Sequence, residues 1–150
     1  MACSPSEPPA PLQEGWAPAG ACTFVGNRAD RHLCATTGVQ LLANPALYDG
    51  RLVRVRGYVA PSPDGKQAML YLTRESLDGA ELFSALSLHG PSVPAIAAYG
   101  ARGGTGQPVQ ARVEGRFHLR RSAPNGAPAE QAGPARYAFG KLEEIEGWAP

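Results

Sequence analysis

RLVRVRGYV, residues 51–59, places Val53, Val55, Gly57 and Val59 at every second position, with Leu52, Arg54, Arg56 and Tyr58 between them. Successive side chains of a strand point to opposite faces, so this spacing predicts a β-strand with one apolar and one basic face. The turn residues PSPDGK (61–66) follow, and QAMLYLT (67–73) supplies a second strand, so the pair reads as a hairpin. Upstream, Asp49-Gly50 turns the chain into the first of these strands. Before that turn, TGVQLLANPALYDG (37–50) predicts a short helical element. Val39, Leu41 and Leu42 form its apolar face, and Asn44 caps a second turn opened by Pro45.

Working downstream, RESLDGAE (74–81) reads as a polar excursion, and LFSALSLHG (82–90) as a third strand with Leu82, Ala85 or Leu86, and Leu88 in the core. A short helix is expected over Val93 to Tyr99, ahead of a glycine loop. VQARVEGRFHLR (109–120) alternates again. Val109, Ala111, Val113, Gly115, Phe117 and Leu119 face inward; Gln110, Arg112, Glu114, Arg116, His118 and Arg120 face outward. Gly57 and Gly115 sit inside their strands, where glycine permits the coiling that a small barrel needs. After the polar loop SAPNGAPAEQAGP (122–134), ARYAFGKLEEIEGW (135–148) is the fifth strand, with Tyr137, Phe139, Leu142, Ile145 and Trp148 as its apolar positions. This order predicts a mostly β chain, a five-stranded Greek-key barrel with one or two short helices. The 15 Pro and 18 Gly in 150 residues agree with strands joined by turns.

The run LLANPALYDGRLVRVRGYV, with the later VEGRF and GKLEEIEGW, resembles a group of small bacterial OB-fold-like proteins. In these, a short helix with Asn-Pro and a Tyr-Asp-Gly turn lead into the first strand. The resemblance spans residues 38–148 and implies an OB-like barrel with a binding role. It names no ligand, because such barrels host nucleic acids, sugars and protein partners alike.

Residues 1–20, broken by Pro5, Pro8, Pro9, Pro11 and Pro18, have no periodic apolar face and read as a flexible N-terminal tether. Their start, MACSPSEPPAP, resembles the mature start of a bacterial lipoprotein, an Ala-Cys junction followed by a Ser/Pro stretch. That resemblance implies lipid attachment at Cys3 and a place in the periplasm-facing envelope, with membrane contact only through the anchor. The bland alternative is an ordinary cysteine in a cytoplasmic protein. Of the three cysteines, Cys22 and Cys34 bracket a short segment that reads as closed by a disulfide, which leaves Cys3 as the odd one. The chain thus divides into a tether (1–20), a disulfide loop (21–37) and an OB-like barrel (38–150).

Catalytic chemistry finds little footing in the residues. G-x-S-x-G is absent, and the three histidines, His32, His89 and His118, are scattered. Cys22, His32 and Cys34 match no familiar zinc spacing, so no metal is expected. The loop GARGGTGQ ends in Gln107 and Pro108, where a phosphate-cradling loop needs Lys and Ser or Thr; no cofactor is expected. Glu143, Glu144 and Glu146 read as a solvated face, with alternation sending Glu144 and Glu146 to one side and Glu143 to the other.

A net charge of +1 provides no global field, so any anion binding has to be local. The local candidate is a basic stripe of Arg54 and Arg56 on the first strand with Arg112, Arg116 and Arg120 on the fourth, flanked by Tyr58. Guanidinium groups hold carboxylates or phosphates through paired hydrogen bonds. The competing reading is that they keep the barrel edge hydrated and pair with Glu114 and the Glu143–Glu146 cluster. Only Tyr58 and Tyr71 offer exposed rings for base stacking, which disfavours nucleic acid. The expectation is a non-enzymatic binding module of the bacterial envelope that contacts a protein partner or envelope component. The alternative is a cytoplasmic OB module that binds single-stranded nucleic acid.

Overall fold

The computed structural model describes residues 22–28, 31–62, 64–103, 107–120 and 138–150. The tether with Cys3, the polar loop 122–134 and Tyr137 lie outside the described residues. Strands dominate, in the order β1 (Thr23–Arg28), β2 (Arg31–Ala35), β3 (Leu52–Pro61), β4 (Ala68–Tyr71), β5 (Ala85–Leu88), β6 (Val109–Leu119) and β7 (Gly140–Ala149). Between them lie four short helices: α1 (Gly38–Ala43), α2 (Pro45–Tyr48), α3 (Arg74–Asp78) and α4 (Val93–Ala101).

Strands β3, β4, β5, β7 and β6 pair in that order, and β6 returns to β3, closing a five-stranded barrel. All its pairings are antiparallel except β5 with β7, which is parallel. A parallel closure needs a crossover connection, and α4 with the long β6 strand supplies it. This is the OB-like Greek-key order expected from the alternating strands. The inward positions Val53, Val55, Leu70, Leu86, Val113, Phe117, Leu142 and Ile145 are all buried in one core. Leu119, expected inside, is half-buried and packs against that core from the strand end.

The strand β3 is long because it serves two neighbours along one edge. Its first half takes β2 in parallel, with Cys34 beside Val53 and Ala35 beside Arg54; from Tyr58 onward it pairs with β4. Gly57 lies at the handover. A Cβ there would come within 2.6 Å of the Tyr71 carbonyl, so only glycine lets β4 cross so closely.

Several expectations need correction. In α1, Leu41 is buried but Val39 is 68 % exposed, so Val39 is not part of the apolar face. A capping box starts that helix: the Thr37 hydroxyl accepts from the Gln40 amide at 3.1 Å, and the Gln40 side chain accepts from the Thr37 amide. Asn44 stands at the N-cap of α2 but makes no side-chain capping bond. The polar stretch RESLD forms α3, capped by Thr73, whose hydroxyl accepts from the Ser76 amide at 3.0 Å. Leu82 belongs to a 3-10 turn (Leu82–Ser84), and the third strand begins only at Ala85.

The Tyr-Asp-Gly turn is tied to the barrel. Gly50 adopts φ +80 and donates its amide to the Phe117 carbonyl at 2.7 Å, while the Asp49 carboxylate accepts from the Leu119 amide at 2.9 Å. On the far side, Val93, Ile96, Ala97 and Gly100 of α4 are buried at the spacing of one helical face. A Cβ on Gly100 would meet Val59 at 2.6 Å, which fixes the close seat of α4 on β3.

Candidate functional site

The outer face of β3 and β6 is set by their antiparallel register. Leu52 lies beside Arg116, Arg54 beside Glu114, Arg56 beside Arg112 and Tyr58 beside Gln110. Directly opposed residues share a face, so the alternation that buries the valines brings Arg54, Arg56, Arg112 and Arg116 together outside. Leu52 and Glu114 are buried although they point outward on this face.

Within the stripe the arginines differ in their partners. Arg54 directs its Nε and a terminal nitrogen to one oxygen of Glu114, at 2.8 and 2.6 Å, and Glu114 is itself buried. Arg116 holds Glu144 at 2.8 Å and donates to the Gly50 carbonyl, also at 2.8 Å. Neither Arg56 nor Arg112 has a salt bridge or side-chain hydrogen bond among the described residues. Arg112 Nε is withdrawn from solvent without an acceptor. Arg120 is exposed just beyond β6, and Tyr58 is half-buried.

Aromatic surface is distributed differently from the expectation. Tyr71 is buried, and burial raises its hydroxyl pKa, so it offers no free stacking face. Phe83, which lies within the stretch expected to form the third strand, is 68 % exposed. Tyr99 and Trp148 pack together with ring centroids 5.4 Å apart.

The histidines are less scattered than their sequence positions suggest. Ser87 of β5 and His118 of β6 both align with Lys141 of β7, which places the three on one row of the outer face. His118 Nε2 lies 3.0 Å from Glu143, which also pairs with Lys141 at 3.5 Å. Ser87 Oγ lies 3.0 Å from His89 Nε2. Burial, followed by the Lys141 charge, lowers the His89 pKa, and Glu143 opposes them. A neutral imidazole beside a hydroxyl has the parts of a nucleophile and its base, but Ser87 is only 3 % exposed. The Ser87–His89 contact lies within one stretch of chain, whereas the His118–Glu143 pair links β6 to β7.

Glu143 and Glu144 break the expected alternation. Glu144 takes φ +58, an uncommon left-handed conformation for a side-chain-bearing residue, and β7 bulges opposite Gly115. The bulge lets Leu142 and Ile145, three residues apart, both enter the core, and Glu143 reaches His118 while Glu144 reaches Arg116. That odd apolar spacing was the available signal in the sequence.

Cys22 and Cys34 are joined as a disulfide with Cα atoms 5.4 Å apart, across the hairpin of β1 and β2. Sulfurs bound to each other are not thiolate ligands, so this pair is not half of a zinc site. Among the described residues no group of three or more His, Cys, Asp or Glu could hold a metal ion. Comparison with protein-family models, curated proteins and solved structures gives no match.

Proposed function

We propose that this chain is a non-enzymatic binding module of the bacterial envelope, whose β3–β6 face receives an acidic protein partner or envelope component. The observation that carries the reading is the Arg56–Arg112 row, which has no carboxylate partner among the described residues and lies beside arginines that do. Stability alone favours acids opposite those arginines, because like charges directly opposed across strands are unfavourable. Glu114 and Glu144 line the same stripe and would repel a continuous phosphate backbone, which argues against nucleic acid.

Support for the compartment comes from the Cys22–Cys34 disulfide, since such bonds persist chiefly in oxidising surroundings. Lipid attachment at Cys3 is part of the proposal and rests on the resemblance of the N-terminal sequence alone. The test is an equilibrium titration of the oxidised chain, at physiological salt, with a glutamate-rich peptide and separately with a single-stranded oligonucleotide. Binding of the peptide in preference supports the reading. Micromolar binding of the oligonucleotide with none of the peptide replaces it with the nucleic-acid alternative.

A further inference from the structure

Three consecutive rows cross the outer face of β3 and β6, and two of them balance charge with a carboxylate. In one, Arg54 meets Glu114; in the next, Arg116 stands beside Leu52 and reaches Glu144. The third row, Arg56 with Arg112, has two guanidinium groups and no acid among the described residues. Arg112 Nε faces no acceptor although solvent does not reach it. A withdrawn N–H without a hydrogen bond is costly and uncommon in folded proteins.

We propose that Arg56 and Arg112 together form a receptor for one carboxylate, presented by an Asp or Glu side chain of the acidic partner. This rests on the acidic-partner reading and names its point of contact. A carboxylate has two oxygens in one plane and accepts from two guanidinium groups at once, here through nitrogens other than the enclosed Arg112 Nε, and it screens the two cations from each other. The rows of Arg54 and Arg116 show the same chemistry completed within the chain. Because Arg54 and Arg116 are already engaged in the rows on one side, and Tyr58 and Gln110 on the other carry no charge, the receptor takes a single acidic group rather than a run of them.

The experiment follows the side-chain Nε–H signals of arginine by NMR in the full oxidised chain, titrated with sodium acetate and separately with inorganic phosphate. The Arg112 signal should shift and saturate with acetate at lower concentration than with phosphate, while the Arg54 signal stays in place. Arg56→Gln should weaken the acetate response roughly tenfold, the usual consequence of losing one charged hydrogen bond. An Arg112 signal indifferent to acetate, or one that answers phosphate first, overturns the proposal.

Arg112→Glu gives a second, independent reading by placing the missing acid opposite Arg56 within the chain. It should raise the melting temperature by about 2–4 °C, the scale expected for exchanging a cross-strand repulsion for an ion pair. The same variant should lose the glutamate-rich peptide. If the variant folds and still holds the peptide as wild type does, the carboxylate receptor fails while the acidic-partner reading stands. If wild type never binds the peptide, the acidic-partner reading itself fails.

Discussion

Phe117 stands where the two halves of the barrel meet. It is fully buried, it faces Leu142 across the β6–β7 ladder, and its ring stacks against Phe139 with centroids 5.7 Å apart. Truncating a large buried ring loses transfer free energy and leaves a cavity, so Phe117→Ala should cost about 3–5 kcal/mol in urea denaturation. A loss under about 1 kcal/mol would place the strand in the wrong phase, since a one-residue slip reverses every side chain. His89 makes a different claim, because its pKa is lowered by burial and by Lys141. Above its ordinary value the imidazole is neutral whether folded or not, and it contributes no pH dependence. As pH falls below about 6.5 the unfolded chain takes the proton first, so stability drops until the folded His89 also protonates. Thermal melts of His89→Gln should be flatter than wild type across that window; identical profiles would remove His89 as the cause. At this scale the inward valines and Phe117 were legible from period two alone. Val39, Tyr71 and Phe83 were not, because their exposure depends on tertiary neighbours that local spacing does not contain.

Among the elements, the hairpin of β1 and β2 depends most on a covalent link. It joins the barrel through a short parallel pairing with β3, and the Cys22–Cys34 bond closes a loop with a sequence separation of 12. Closing a loop of this size restricts the unfolded chain and is worth about 3 kcal/mol, so Cys22→Ser with Cys34→Ser should lower stability by that order. Comparing melts of wild type with and without reductant checks it, and two free thiols in the oxidised wild type would contradict the link itself. The cysteine spacing announced the bond, but nothing in TFVGNR or RHLCA announced the parallel seat beside β3. Similarly, RESLD is polar but for Leu77, and its helix is set by the Thr73 cap, a single-residue signal that carries no periodicity. The β7 bulge is invisible to strict alternation, because Leu142 and Ile145 reach the same core only through an inserted residue.

For the whole molecule, a closed barrel with one capping helix leaves the β3–β6 outer face as a rigid platform whose side chains are set by strand register. Strand order was readable because turn residues and alternation agreed along the chain. The selection of Arg56 and Arg112 from five stripe arginines was not, since it depends on which acids the bulged β7 and the β6 register deliver to the others. Fractionation of the native protein should find it in the envelope with Cys3 acylated, and recovery in the cytoplasm with a free Cys3 would shift the account toward its alternative. The most direct measurement is the affinity of Arg56→Glu for the glutamate-rich peptide, taken beside its melting temperature. Arg56 is exposed, has no side-chain partner among the described residues and lies opposite Arg112, so Arg56→Glu should raise the melting temperature by about the same 2–4 °C as Arg112→Glu and not lower it. The account predicts that peptide affinity falls at least about tenfold in this variant although it is no less stable than wild type, as expected when a contacting charge is reversed. Peptide binding unchanged by Arg56→Glu would contradict it.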